Sequence, residues 1–101
     1  MTSEAKTLES KALVKIERPS RYGKQLASHL SHKSELAEIL GGWQLTMPIG
    51  IATITTDDDL LIMTAKAENT ADLERIQFVL DKHLKQFTTK LPEFEIVWMP
   101  A

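Results

Sequence analysis

Apolar and polar residues alternate with a period of two in several short stretches of the chain, which is the pattern of half-buried β-strands. In residues 11–17, Val14 and Ile16 alternate with Leu13, Lys15 and Glu17. The stretches 43–47, 51–56 and 60–68 follow, and residues 94–99 close the chain with the same pattern. Turn residues separate the middle stretches, namely Gly41-Gly42, Pro48-Ile49-Gly50 and Asp57-Asp58-Asp59. The pattern therefore predicts an antiparallel meander.

Residues 36–40, LAEIL, fit either the last turn of a helix or a short strand. The glycine pair that follows them favours a hairpin, so we assign a strand here.

Two stretches have the 3.6-residue spacing of amphipathic helices. The first runs from Ser20 to about Lys33, and Pro19 suits its first turn because the missing N–H costs nothing there. The second begins at Thr70, the predicted N-cap, and ends before Leu91-Pro92. The predicted buried positions are Tyr22, Leu26 and Leu30 in the first helix, and Leu73, Ile76, Leu80, Leu84 and Phe87 in the second.

The resulting order is β-α-β-β-β-β-α-β. It predicts an α+β two-layer sandwich, with a mostly antiparallel sheet of five or six strands and both helices on one face. A length of 101 residues suits one hydrophobic core. We expect residues 1–10 to be a flexible tail and residues 11–101 to form a single domain.

Composition narrows the classes of function. The chain has no cysteine, which excludes disulfides, thiolate metal sites and cysteine nucleophiles. It has no signal-like apolar segment at its start and no run long enough for a membrane helix, so we expect a cytoplasmic protein without a membrane partner. No combination of residues matches a known catalytic set, and catalysis would depend on a histidine acting as general base.

Charge is distributed unevenly along the chain. Residues 11–33 hold six Lys or Arg against Glu17 alone, whereas residues 34–101 hold five basic and eleven acidic residues. A short basic segment suits a small anionic ligand or an acidic partner better than nucleic acid, whose binding needs many phosphate contacts.

The basic segment contains RYGKQLASHLSHK, in which Arg21, Gln25, His29 and His32 follow one edge of the first helix. We call these four residues the polar ribbon, and Lys33 lies beside it. Guanidinium, amide and imidazole groups bind carboxylate and phosphate, and imidazole also binds metals. The ribbon predicts a ligand site, although the same pattern also fits the solvated edge of a surface helix.

His29 and His32 lie one helical turn apart and are close enough to share a metal ion. Such an ion needs further ligands, for which His83, or Glu35 and Glu38, are the candidates. His83 also fits a structural position at the edge of the core, beside Leu80 and Leu84. We predict no cofactor, and binding of iron or another metal stays open.

Apolar residues occupy both faces of two predicted strands. In the strand LLIMTAK, Leu60 and Ile62 lie opposite Leu61, Met63 and Ala65. In the last strand, Val97 and Met99 lie opposite Phe94, Ile96 and Trp98. A solvated sheet face would show polar residues there. We therefore predict a homodimer through the open face around Leu60, Ile62, Val97 and Met99; the alternative is that the N-terminal tail covers this patch.

The motif formed by Arg21-Tyr22, Gln25-Leu26, His29 and His32-Lys33 resembles that of a bacterial family, domain-of-unknown-function family 2218. The resemblance extends over residues 11–99 and includes the turn at Pro48-Ile49-Gly50, the acidic turn and the second helix. One departure is Gly23, where relatives carry a larger apolar residue; glycine weakens the helix and leaves room for another group to approach.

The resemblance implies a fold like one half of the TATA-box-binding protein or the last domain of phosphohexomutases. It also implies, by association with siderophore-interacting ferric reductases, a role in iron acquisition. Three functions stay open: an accessory module that binds an anionic or iron-chelating small molecule, a homo-oligomeric protein-interaction domain, and a histidine-dependent enzyme.

Overall fold

A computed structural model of the chain describes residues 7–92 and 94–101. The elements follow the predicted order, and a single 3₁₀ turn over Ser31–Lys33 follows the first helix. Their bounds are β1 Leu8–Lys15, α1 Pro19–Leu30, β2 Glu35–Ile39, β3 Gly42–Met47, β4 Gly50–Asp57, β5 Leu60–Ala67, α2 Thr70–Phe87 and β6 Trp98–Pro100.

The six strands form one sheet in the order β2-β3-β4-β5-β1-β6, and every pairing is antiparallel. Strands β2 to β5 form the predicted meander, and β2 confirms that LAEIL is part of a hairpin. Strand β1 is inserted between β5 and β6, with Leu13 opposite Ile62 and Lys11 opposite Met99. The edges of the sheet are thus β2 and β6.

Both helices cover one face of this sheet. The helix α1 packs on β3, β4 and β5, while α2 packs on β5, β1 and β4 beside α1. Alternate strand residues point into this layer and are fully buried, as Leu45, Ile54 and Met63 show. The predicted two-layer α+β sandwich is therefore confirmed, and no helix of the described residues covers the other face of the sheet. None of the helices in the described part of the chain is long and apolar enough to cross a membrane.

The backbone of α1 lies directly on the sheet at Gly23, which is buried. A Cβ atom there would lie 3.1 Å from Leu61 Cδ1, 3.2 Å from Trp43 Cζ3 and 3.3 Å from Ile54 Cγ2. Such distances are shorter than ordinary van der Waals contacts. The space beside Gly23 is therefore already filled by these side chains and leaves no room for a ligand. The group that approaches Gly23 is the sheet itself.

The start of α2 differs by one residue from the prediction. Asn69, not Thr70, is the N-cap, and its Oδ1 accepts a hydrogen bond of 2.8 Å from the Asp72 backbone N–H. The Asn69 Nδ2 group also donates to Asp72 Oδ2 at 3.0 Å. Asparagine and threonine are both good N-caps, so a sequence with the two adjacent does not reveal which one adopts the extended backbone.

The first and last strands also differ in length from the predicted ones. Strand β1 begins at Leu8, inside the expected tail, because Leu8 to Ser10 pair with Ala67 to Ala65 of β5. Residues 1–6 lie outside the described residues, so the tail and its folding over the open face stay predictions. Strand β6 spans only Trp98–Pro100, although residues 94–97 keep the expected alternation of half-buried and exposed side chains.

A side-chain hydrogen bond joins this short last strand to the helical layer. Trp98 Nε1 donates to Asp81 Oδ1 of α2 at 2.9 Å. Burial raises the pKa of the Asp81 carboxyl, although the bond from Trp98 and the charge of Lys85 both act to lower it. Because the folded-state pKa lies above the unfolded one, this group stabilises the fold fully at acidic pH, and the contribution is lost as pH rises through the folded pKa.

We predict that Asp81→Asn raises the free energy of unfolding at neutral pH, because the amide oxygen still accepts from Trp98 and carries no charge to desolvate. The gain should vanish below the ordinary pKa of aspartate, where the wild-type carboxyl is protonated. Urea unfolding of both proteins at neutral pH, and again below the ordinary pKa of aspartate, measures the two effects. Asp81→Ala leaves the Trp98 N–H without its partner and should be less stable than wild type at both pH values. A lower free energy of unfolding for Asp81→Asn than for wild type at neutral pH would contradict this explanation.

We predict that Asn69→Ala lowers the free energy of unfolding by about 1 kcal/mol, because the first turn of α2 loses its capping oxygen. Thermal or urea unfolding measures the change. Thr70→Ala is the matched control and should have a clearly smaller effect. Equal losses in the two variants would show that the cap is not Asn69.

Candidate functional site

The last turns of α1 and α2 bring the histidines of the chain together. The ring of His29 lies 4.5 Å from the ring of His83 and 6.3 Å from that of His32, measured between centroids. It also meets the edge of Phe87 at 5.4 Å, with an interplanar angle of 77°. We call His29, His32, His83 and Phe87 the histidine cluster. Its members come from α1, the 3₁₀ turn and α2.

Local structure explains how each ring reaches this position. Leu30 and Leu84 are buried, so the neighbouring side chains His29 and His83 emerge at the boundary between the helices and solvent. The chain then tightens from α1 into the 3₁₀ turn, and the Ser31 hydroxyl donates to the Ser28 carbonyl at 2.7 Å. This turn carries His32, whose ring centroid lies 6.3 Å from that of His29.

The ring nitrogens of the cluster differ in their partners. His83 Nδ1 lies 3.2 Å from Gln86 Oε1, an amide oxygen that accepts a hydrogen bond when Nδ1 carries a proton. No side-chain hydrogen bond found among residues 7–92 and 94–101 uses a ring nitrogen of His29 or His32. Both rings are exposed. These two imidazoles are therefore free to contact a ligand.

The cluster is not a ready-made metal centre. Within the described ranges, no three or more His, Asp or Glu side chains are placed to hold a metal ion. Rings that share one zinc ion through nitrogens at about 2.0–2.1 Å have centroids roughly 5 Å apart. The His29–His83 spacing is near that value, whereas His32 is more distant. The other candidates, Glu35 and Glu38, lie on the exposed edge strand β2 three residues apart and so point to opposite faces of the sheet.

The rest of the polar ribbon extends away from the cluster along α1. Arg21, Gln25 and His29 are all exposed and follow one another at intervals of one helical turn. Arg21 is therefore about 12 Å from His29 along the helix axis. Lys33 lies at the other end, where it lines a shallow cavity of about 470 Å³ with Glu35, Thr46 and Pro48. The predicted residues form a line rather than a closed pocket.

Two side chains at this site were not assigned to it by sequence reasoning. Phe87 has the spacing of a core residue and is half-buried, yet its edge also supports His29. Gln86 looks like an ordinary surface residue, yet its Oε1 lies within hydrogen-bonding distance of His83 Nδ1. The spacing of His83 and Phe87 by four residues, which places them on one face of α2, is the signal that links Phe87 to a histidine.

A family model described as "Uncharacterized protein conserved in bacteria (DUF2218)" matches residues 11–99. The chain belongs to this family. The match covers both helices and the meander, and it confirms the resemblance carried by the polar-ribbon motif. No curated protein matches the sequence.

Two solved structures are similar to this fold. The NMR structure of PA4090 from Pseudomonas aeruginosa has a TM-score of 0.77 at 24% identity, covering 93% of this chain and 97% of that chain. A phosphoglucomutase/phosphomannomutase family protein from Burkholderia thailandensis has a TM-score of 0.54 at 16% identity. This second match covers 93% of our chain and 19% of that one. At these identities the likeness shows the fold alone, including the expected likeness to part of a phosphohexomutase.

We predict that Phe87→Leu shifts the ring-proton NMR signals of His29, because the aromatic ring current is lost while apolar bulk is kept. The signals of His32 should move less, since its ring contacts His29 rather than Phe87. Phe78→Leu is the matched control, because Phe78 is 64% exposed and lies nine residues earlier on α2. Unmoved His29 signals in Phe87→Leu would contradict the cluster geometry.

Proposed function

We propose that this protein is a small cytoplasmic accessory module that binds an anionic metal chelate, of the ferric siderophore class, at the histidine cluster and polar ribbon. The observation that carries the proposal is the convergence of all three histidines on one exposed patch, with the ring nitrogens of His29 and His32 directed to no described protein partner. Imidazoles grouped in this way donate to, or accept from, the polar atoms of a ligand.

The charges around the cluster favour such a ligand. Lys33 supplies positive charge close to the cluster and Arg21 supplies it at the far end of the polar ribbon, and guanidinium forms paired hydrogen bonds with carboxylate-like oxygens. The cluster itself lies at the carboxyl ends of α1 and α2, where helix dipoles favour cations. A chelate with a positive metal centre and anionic outer oxygens matches both features.

The length of the site indicates the size of the ligand. Arg21 and His29 are separated by about 12 Å along α1, further than one small anion reaches. A chelate with several donor groups can contact the cluster through one part and Arg21 through another. The histidine cluster would therefore contact the part that all these ligands share, whereas Arg21 would contact only the larger ligands.

Two further observations support this proposal. Packing of Phe87 and His83 against His29 restricts the central ring, and a restricted side chain loses less entropy on binding. The family resemblance adds the association of similar domains with siderophore-interacting ferric reductases, which use iron chelates of this class.

We predict that His29→Ala abolishes the thermal shift produced by ferric siderophores, because it removes the ring that contacts the other members of the cluster. Arg21→Ala should weaken binding of large ferric chelates by about tenfold, the loss of one charge-assisted hydrogen bond, and leave small anions unaffected. A panel of ferric and iron-free hydroxamate, catecholate and citrate chelators, with inorganic phosphate, measures these effects.

Lys24→Ala is the matched control for charge. Lys24 is an exposed cation of α1, but it lies off the line formed by the polar ribbon. If Lys24→Ala weakens binding as much as Arg21→Ala does, the interaction is general electrostatic attraction and the proposed site is wrong. Absence of any thermal shift across the whole panel with the wild-type protein also rejects the proposal.

A further inference from the structure

The face of the sheet without helices differs from an ordinary solvated face. Leu13, Val97 and Met99 are 46%, 59% and 48% exposed, and Leu60 and Ile62 are half-buried beside them. The strand register places Leu13 next to Ile62, and Lys11 next to Met99. The apolar side chains thus form a continuous patch across β5, β1 and β6.

Charged residues on this face are concentrated at its rim. The two central rows, which run across the sheet through Ile62 and Thr64, contain one charged residue, Lys11. Other charges lie at the strand ends, where Lys66 is 4.0 Å from Glu9 and Lys15 is 3.7 Å from Asp59. A centre depleted in charged residues, with a charged rim, is the usual composition of a protein interface.

The charge of the face suits a second copy of the same chain. Three lysines and four carboxylates of the described residues lie on this face or at its rim, so the charges nearly cancel and two identical faces repel each other little through net charge. These residues are Lys11, Lys15, Lys66, Glu9, Glu35, Asp57 and Asp59.

In the two central rows, several large side chains of one copy would also face small side chains of the other. A twofold axis parallel to the strands, midway between β4 and β5, places β5 over β4 of the second copy, β1 over β3 and β6 over β2. Aligned sheets pack with their strands within about 30° of each other, so this arrangement is an allowed one. It sets a large side chain against a small one three times over, pairing Ile62 with Thr55, Leu13 with Gly42, and Met99 with Ala37.

We infer that two copies of this chain pack open face to open face about that axis, forming a homodimer. The six strands, spaced about 4.8 Å apart, cover on the order of 600 Å² before the relief of the side chains is counted. The accessible area exceeds this flat area because side chains project from it, so the whole face is comparable to the about 800 Å² that each partner buries in a standard interface. The histidine cluster lies in the helical layer, on the opposite side, and stays accessible in this dimer.

The first test is the mass of the wild-type protein by light scattering at micromolar concentration, where we expect a dimer. Leu13→Lys should shift the mass to that of a monomer, because it places a charge in the apolar centre. Phe78→Lys is the matched control, since Phe78 is an exposed apolar residue of the helical layer, and it should remain dimeric. Circular dichroism and thermal unfolding check that each variant is folded.

Two variants with complementary introduced charges test the position of the twofold axis. Met99→Lys and Ala37→Glu each place a charge opposite an uncharged residue of the second copy, so each variant alone should be at least tenfold more monomeric than wild type. Mixed together, they should form a heterodimer, because the introduced lysine and glutamate face each other at one contact, while the symmetry-related contact keeps the original methionine and alanine. Native mass spectrometry distinguishes the heterodimer from both homodimers.

Each outcome decides the inference. A monomeric wild type, or a dimer that persists in Leu13→Lys, overturns the interface. Dissociation caused by Phe78→Lys would show that the dimer contact lies on the helical layer, and this result also overturns the proposed interface. If Leu13→Lys dissociates the dimer but the mixed variants do not associate, the open face is the interface and the proposed axis is wrong.

Discussion

The close contact between α1 and the sheet at Gly23 determines the arrangement of the helical layer. Because this residue has no side chain, the helix backbone reaches Leu61, Trp43 and Ile54 directly, and α1 lies deep over β3 and β4. The remaining part of the same face, over β5 and β1, is then available to α2. The two helices lie side by side on this face and contact each other, and their last turns meet at the histidine cluster.

This arrangement separates the two surfaces to which we assign functions. The helices bury one face of the sheet and present their polar sides to solvent, where His29 and the polar ribbon lie. No helix within residues 7–92 and 94–101 covers the other sheet face, and its apolar side chains are exposed at Leu13, Val97 and Met99. A ligand and a second copy of the chain would therefore bind on opposite sides of the domain without competing.

Short-range patterns predicted most of the fold. Period-two alternation and turn residues located the meander, and helical spacing located α1 and α2, because both depend on neighbours along the chain. The errors lie at the ends of elements. Asn69 rather than Thr70 caps α2, β1 begins at Leu8, and β6 pairs over three residues only. These boundaries depend on hydrogen bonds to particular partners, which the alternation of residue types does not specify.

The sequence by itself determined that Arg21, Gln25 and His29 share one edge of a helix and that His32 follows nearby, since their spacing matches the helical repeat. It also determined that apolar residues occupy both faces of β5 and of the last strand. Only the tertiary structure decided that His83 and Phe87 complete the cluster, because α1 and α2 are far apart in the chain and meet through packing on a shared sheet. The order of the strands likewise decided that Leu13 joins Ile62 and Met99 in one patch, since β1 inserts between β5 and β6.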